Sequence, residues 1–318
     1  MFKYLIVQLT DDTVSFCHYS TKREDPSVLP EEIINEALIW SMKRNLSIQW
    51  ILPDTRLPDS YYHFFTRADS VIITSGKSYY SSLAQIIVHT SVNDYLEFSG
   101  SGKQAEIILI APTDIHNIRN IKEVRLFKTP RLVLVLQEVN CFNNQLIEEY
   151  RSSIKELSQQ LESVYKKKGE IMINSLSDIL FTSSMNNCNA GIESLTLAPN
   201  GRFYLCPGFY FDNSENYVGD LKNGINIPNQ HLLSLQYAPI CRICDAFHCR
   251  RCIWLNQKMT GEYNTPSKQQ CLLSHIERDQ SRILLNQMRE SYLSFAKGKE
   301  IMALDYNDPF DLLKRKYQ

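Results

Sequence analysis

Four cysteines fall within the twelve residues CRICDAFHCRRC at 241–252, as two Cys-x-x-Cys pairs, Cys241 with Cys244 and Cys249 with Cys252. At this spacing two sulfurs converge on one tetrahedral metal, or on two corners of an iron-sulfur cube, and the backbone between them is free to donate N–H bonds to the thiolates. Buried apolar cysteines do not usually gather at ligand spacing, so the segment reads as metal-binding. Arg242, Arg250 and Arg251 lie among these thiols and can offset the negative charge of either kind of centre.

The remaining cysteines divide the chain. Only Cys17 and Cys141 precede position 188, whereas Cys188, Cys206, Cys241, Cys244, Cys249, Cys252 and Cys271 follow within 84 residues. A length of 318 residues exceeds the usual single domain, so two compositions joined end to end are expected. The net charge of -1 does not favour nucleic acid or an anionic membrane as partner. MFKYLIVQLTDD is too short in its apolar run for a secretory signal, and no stretch approaches the ~20 apolar residues of a membrane span. A cytoplasmic location follows as the expectation, and in a reducing compartment clustered cysteines are more often metal ligands or redox groups than disulfides.

In the first part, β-branched runs alternate with helical patterns, the signature of βα units and a largely parallel sheet. Strands are predicted at 3–9, 47–52, 70–75, 84–91, 105–111, 131–139 and 170–176. One helix starts at Pro30 with Glu31 and Glu32 in its first turn and ends near Asn45. Another runs from about Asn143 to Lys168 with Gly169 at the C′ position, its apolar residues recurring at steps of three and four. The segment SGSGK at 99–103 lacks phosphate-loop spacing and reads as a turn. Asp11 and Asp12 after the first strand read as a solvated turn or N-cap, Asp220 as a turn cap, and His89 as a satisfied core histidine; Cys17 and Cys141 read as unligated.

The second part opens with a hairpin, Ser194 to Leu197 and Arg202 to Leu205 around Pro199, Asn200 and Gly201, with Cys188 before it and Cys206 at its end. A helix begins at about Leu272. Seven thiols are one short of the eight ligands that two zinc ions or two cubane clusters require. His248 or His275 can complete a Cys3His zinc site; alternatively, one cluster keeps an open or unusual fourth ligand.

The order Cys188-x12-Gly201-x4-Cys206, then Cys241-x2-Cys244-x4-Cys249-x2-Cys252 and Cys271, resembles the seven-cysteine SPASM domain of radical S-adenosylmethionine enzymes that mature peptides and proteins. LTLAPNGRFYLCPGFY, YAPICRICDAFHCRRCIWLN and NTPSKQQC are similar, more narrowly, to CXXX repeat peptide maturases. The resemblance covers residues 186–280. The second segment is one residue shorter in each of its last two intervals than the family's x2, x5, x3 pattern. It implies two auxiliary [4Fe-4S] clusters, the first on Cys188, Cys206 and Cys252, the second on Cys241, Cys244, Cys249 and Cys271. The family's further cysteine upstream of the first site has no counterpart in LFTSSMNN.

A radical enzyme of this type needs Cys-x3-Cys-x2-Cys to hold the cluster that chelates S-adenosylmethionine, and the chain has no such motif, so no S-adenosylmethionine is expected. The expected fold is α/β: a degenerate partial βα barrel over 1–185, a small cysteine-rich SPASM domain over 186–280 with a β-hairpin and C-terminal helix, and a helical extension over 281–318. The expected function is that of a component of a ribosomal-peptide maturation system. It would bind two clusters and a cysteine-rich precursor peptide or a partner maturation enzyme, without radical chemistry of its own. A catalytic maturase that uses an auxiliary cluster is the alternative, and a zinc-stabilised interaction module the second.

Overall fold

The computed structural model describes residues 2–21, 26–67, 70–98, 107–110, 115–124, 126, 130–290 and 300–301. The turn expected at SGSGK lies outside the described residues, as does the C-terminal extension beyond Glu290 apart from residues 300–301. Along the chain come β1 (Tyr4–Gln8), α1 (Glu31–Met42), β2 (Ser47–Ile51), α2 (Asp59–Arg67), β3 (Ser70–Ser75), β4 (Ile86–His89), α3 (Val92–Glu97) and β5 (Ile107–Ile110). Then follow β6 (Arg131–Leu134), α4 (Asn144–Lys166), β7 (Met172–Ile173), α5 (Asp178–Phe181), β8 (Ser194–Leu197), β9 (Arg202–Tyr204) and α6 (Pro207–Asp212). The series ends with β10 (Gly219–Asp220), β11 (Gly224–Ile225), α7 (Ile253–Thr260) and α8 (Lys268–Glu290). They belong to two compact units, one of Met1–Thr113, Val135–Gln137 and Asn189–Leu233, the other of Asp114–Leu134, Glu138–Cys188 and Ser234–Gln318.

In the first unit, β1 to β5 lie side by side in sequence order, each parallel to the next. This is the βα arrangement expected from the alternating pattern. On the other side of β1 runs β8, also parallel, with Tyr4 opposite Ser194 and Val7 opposite Leu197. Antiparallel β9, β10 and β11 extend the sheet beyond it. The strands are rich in β-branched and aromatic residues, and four successive residues of β1 are buried, as a parallel sheet covered on both faces requires. The hairpin turn is as read: Gly201 has φ +74° and donates to Ala198 O at 2.9 Å. Asp220 accepts from the N–H groups of Lys222 and Asn223 at 2.8 and 2.7 Å, as a turn cap does.

Trp50 is the largest fully buried side chain of this core; its indole N–H donates to Ser70 Oγ at 3.1 Å and its ring meets the edge of Phe65. Two helices absent from the sequence reading flank the strands. α2, DSYYHFFTR, is built from aromatic residues of modest helix propensity. α3 is six residues long and stands on its cap, with Ser91 Oγ accepting from Asp94 N at 3.0 Å.

In the second unit, β6 and β7 pair in parallel. α4 starts where Asn143 Oδ1 accepts from Leu146 N at 3.0 Å and buries Ile147, Tyr150, Ile154, Leu157, Leu161 and Tyr165 at steps of three and four, packing against α8. Its end differs from expectation. Lys168, not Gly169, takes the left-handed conformation, φ +61°, because the helix stops one residue earlier. Gly169 is needed for space instead: a Cβ there would stand 2.5 Å from Val164 Cγ1. No helix among the described residues is long and apolar enough to cross a membrane.

Replacing Trp50 with Ala removes the centre of the first unit's core and the indole N–H that donates to Ser70 Oγ. A loss of about 3–5 kcal/mol is expected, read as a lower denaturant midpoint in chemical unfolding.

Candidate metal centre

Residues 241–252 carry almost no regular structure beyond one 3₁₀ turn at Cys241–Ile243, so their shape rests on local bonds. Cys244 N donates to Cys241 O at 3.2 Å, Cys249 N to Ala246 O at 2.9 Å, and Ala246 N to the Cys244 sulfur at 3.4 Å. That last bond brings an N–H to a candidate ligand sulfur from the segment that joins the two Cys-x-x-Cys pairs. From α8, Cys271 and His275 stand four residues apart on one helical face. Cys241, Cys244, Cys249 and Cys271 line one small cavity together with His275 and Arg251. The four thiols assigned by resemblance to one cluster are therefore neighbours in space.

All nine cysteines are free thiols. Burial pushes the Cys241 thiol up to about 12, with Cys249 adding to the effect, and burial also raises Cys249. A metal binding here has to displace protons, since the thiolate is the ligand form. Burial, helped by Arg278, drives His275 down to about 4, which leaves a neutral imidazole. Its Nε2 lies 3.8 Å from Cys244 Sγ, and the donor atoms of Cys244, Asp245 and His275 all fall within 4.8 Å of one another. Asp245 is also engaged by Arg278, Nη1 to Oδ1 at 2.6 Å. His248 faces Glu277 instead, Nε2 to Oε2 at 3.0 Å, and of the two histidines predicted as ligands only His275 lines the thiol cavity.

Of the three arginines in the motif, Arg242 and Arg250 are exposed and Arg251 is 1% exposed. Arg251 takes φ +30°, a conformation that costs a non-glycine residue about 1–3 kcal/mol and persists only where its surroundings enforce it. Its Nε donates to Asn187 Oδ1 at 2.8 Å. Two backbone bonds, Asn186 N to Phe247 O at 2.7 Å and Cys188 N to Arg250 O at 3.0 Å, clip residues 186–188 alongside the cysteine loop. Burial lowers the Arg251 pKa, and the charges that oppose this are those of Cys241, Cys188, Cys249 and Cys252.

Cys252 is buried at the N-terminus of α7, where its sulfur accepts from Leu255 N at 3.5 Å, and Cys188 is exposed. Cys206 belongs to the first unit, at the residue before α6. Cys17 is half-buried in the first unit, and Cys141 is exposed in the second.

The carboxyl ends of β1 to β4 border a second feature, a cleft of about 350 Å³ in the first unit. Parallel strands gather loop residues at this edge. Asp12, Thr13, Ser20, Asp54, Lys77 and Asp94 are among its lining residues. Lys77 Nζ lies 2.9 Å from Asp94 Oδ1, and Asp54 accepts from Ser75 Oγ at 2.5 Å. Asp12 accepts from Thr55 Oγ1 at 3.2 Å. Asp11 is not the solvated turn residue expected. It is buried because its Oδ2 accepts from Ser27 N and Oγ, at 3.0 and 2.5 Å, which fastens a segment sixteen residues away.

In this β1 loop Thr13, Cys17 and Ser20 occur at the intervals of a Cys-x3-Cys-x2-Cys motif, with hydroxyls at the outer positions. That alignment was accessible from the chain itself, once the loop after the first strand is searched for spacing instead of for cysteine.

His89, at the end of β4, is buried as expected of a core histidine, with Nδ1 3.5 Å from Asp94 Oδ2. Burial holds its pKa below the usual 6.5 despite Asp94, so below that pH the unfolded chain takes up a proton that the folded chain resists. Stability is expected to fall as pH drops from 7 to 5. His89→Asn should flatten that part of the profile, measured as unfolding free energy against pH.

No protein-family model and no curated protein matches the sequence. Solved structures of anSMEcpe do resemble this chain. The hexahistidine-tagged protein with bound AdoMet gives a TM-score of 0.60 at 12% identity, over 89% of this chain and 98% of that one. The native protein with bound AdoMet and Cp18Cys peptide gives 0.58 at 10% identity, over 92% and 99%. The chain shares the α/β fold of these anSMEcpe structures.

Proposed function

We propose that the chain is a component of a ribosomal-peptide maturation system, of the CXXX repeat peptide maturase kind. In this reading it acts in the reducing cytoplasm and binds a cysteine-rich precursor peptide or a partner maturation enzyme. It holds two [4Fe-4S] clusters, on Cys188, Cys206 and Cys252 and on Cys241, Cys244, Cys249 and Cys271, in a SPASM domain over 186–280. The observation that carries the reading is the single cavity into which Cys241, Cys244, Cys249 and Cys271 converge. Four thiols around one cavity, one receiving a backbone N–H and none in a disulfide, suit a cubane whose irons each take one thiolate. When bound, such a cluster supplies an electron-transfer centre and a structural tie. The role of the chain's own residues is to hold the thiols and shield them from water.

Support for a peptide partner comes from the fold, since anSMEcpe is known with AdoMet and a Cp18Cys peptide bound. Against radical chemistry stand Thr13 and Ser20, whose hydroxyls cannot replace thiolates around a cluster that leaves one iron free. The zinc reading rests on His275, whose nitrogen approaches Cys244 and would make a Cys3His set with two more thiols.

Anaerobic purification followed by metal analysis separates the two. About eight irons and eight sulfides per chain, with broad absorption around 400 nm, are expected for two cubanes, and Cys244→Ser should remove roughly half of the iron. Near-stoichiometric zinc without iron would establish the zinc site. Incubating the reduced protein with S-adenosylmethionine is expected to yield no 5′-deoxyadenosine, and clear production would mean that the chain is a radical enzyme after all.

A further inference from the structure

We propose that His248 is the eighth ligand of the cysteine-rich segment, binding through Nδ1 the metal centre that the thiols of Cys188, Cys206 and Cys252 leave one donor short. The inference rests on the cluster reading and deepens it by giving the first centre a nitrogen corner.

The ring is held as a ligand's ring is held. His248 is 5% exposed, and its Nε2 lies 3.0 Å from Glu277 Oε2 on α8. The other carboxylate oxygen of Glu277 accepts from the hydroxyl of Tyr150, a fully buried residue of α4. A carboxylate only accepts, so Nε2 carries the hydrogen of its bond and the neutral ring keeps its lone pair on Nδ1. Nδ1 is buried and has no hydrogen-bond partner among the described residues. A bridge from loop to helix would use Nε2 alone, and an orphaned buried nitrogen costs about 1–3 kcal/mol. A metal bond removes that cost. One ring nitrogen donated to a carboxylate and the other left bare is the arrangement that fixes the tautomer and orientation of metal-bound histidines.

Its position selects the centre. His248 does not line the cavity of Cys241, Cys244, Cys249 and Cys271, where four thiols already supply the four corners of a cubane. Asn186 N donates to Phe247 O at 2.7 Å and Cys188 N to Arg250 O at 3.0 Å, so His248 lies on the stretch of loop between the two bonds that clip Cys188 in place. Cys252 follows four residues later. Seven thiols and one imidazole make the eight donors that two cubanes take.

The test uses the full-length chain, purified anaerobically, reduced, and measured by pulsed electron paramagnetic resonance with and without nitrogen-15-labelled histidine. A strong nitrogen coupling that changes with the label is expected in the wild type, retained in His275→Gln and lost in His248→Gln. An iron-replete wild type without histidine coupling overturns the proposal, as does a coupling that survives His248→Gln or disappears with His275→Gln. If His248→Gln loses iron, His248→Cys decides: iron restored to the wild-type level without the nitrogen coupling supports ligation, and iron lost from both overturns it. A wild type that holds zinc defeats the cluster reading but leaves this inference measurable. X-ray absorption at the zinc edge should then count fewer nitrogen neighbours in His248→Gln than in the wild type, and equal counts overturn it. A wild type that holds neither metal overturns both.

Discussion

Sulfur carries charge only once its proton is gone, and in the second unit that fact governs everything around the cysteine loop. The thiols there are withdrawn from water, which favours their protonated form, while a guanidinium is withdrawn beside them, which favours the opposite. The two demands are reconciled when a cation of another kind takes the place of the protons. Besides its hydrogen bonds and ion pairs, the loop has little apolar packing among the described residues. Its apolar cluster consists of Met185, Ala238 and Cys241 with Leu235 and Cys244 against it, so two of the five members are themselves ligand candidates. The first unit has no such dependence. Trp50, Phe65, Leu5 and Phe203 close a continuous apolar core between sheet and helices.

The first unit poses a different question, because its sheet gathers loops at one edge whether or not chemistry follows. Thr13 and Ser20 take part in the cleft as hydroxyls, Lys77 is paired with Asp94, and Asp54 is engaged by Ser75. The cleft is present, while hydroxyls stand at the outer positions of the spacing that would hold a reducing cluster. Whether chemistry follows from such a cleft is decided by its residues and not by its topology.

Much of this was legible in the chain. The runs around Ile6, Trp50, Ile72 and Ile87 became parallel strands because β-branched and apolar side chains covered on both faces have few other options, and Pro30 with Glu31 and Glu32 marked a helix start. The four thiols that the SPASM resemblance groups, Cys241, Cys244, Cys249 and Cys271, line one cavity. What escaped depended on partners far along the chain. Asp11 is buried because Ser27 reaches it, and Arg251 is set apart from Arg242 and Arg250 by its backbone conformation and by Asn187, 64 positions away. His275 and His248 were equivalent on paper; one turn of α8 and the carboxylate of Glu277 separate them. Short α3 lacked enough residues for a period and declared itself only through Ser91.

The parallel pairing of β8 with β1 has a consequence for how such a chain can be divided. Ser194 to Leu197 precede the cysteine loop in sequence yet are hydrogen-bonded to Tyr4 to Val7 as an interior strand of the sheet. A fragment that ended upstream of Ser194 would expose the whole side of β1 as an open row of N–H and C=O groups, inviting pairing with another chain. A fragment that began there would carry a strand made for parallel company into solvent, with no hairpin turn able to supply a substitute. Transplanting the cysteine-rich segment to another scaffold would accordingly require that scaffold to present a parallel edge, which makes the segment a graft on the sheet and not a bead on a string.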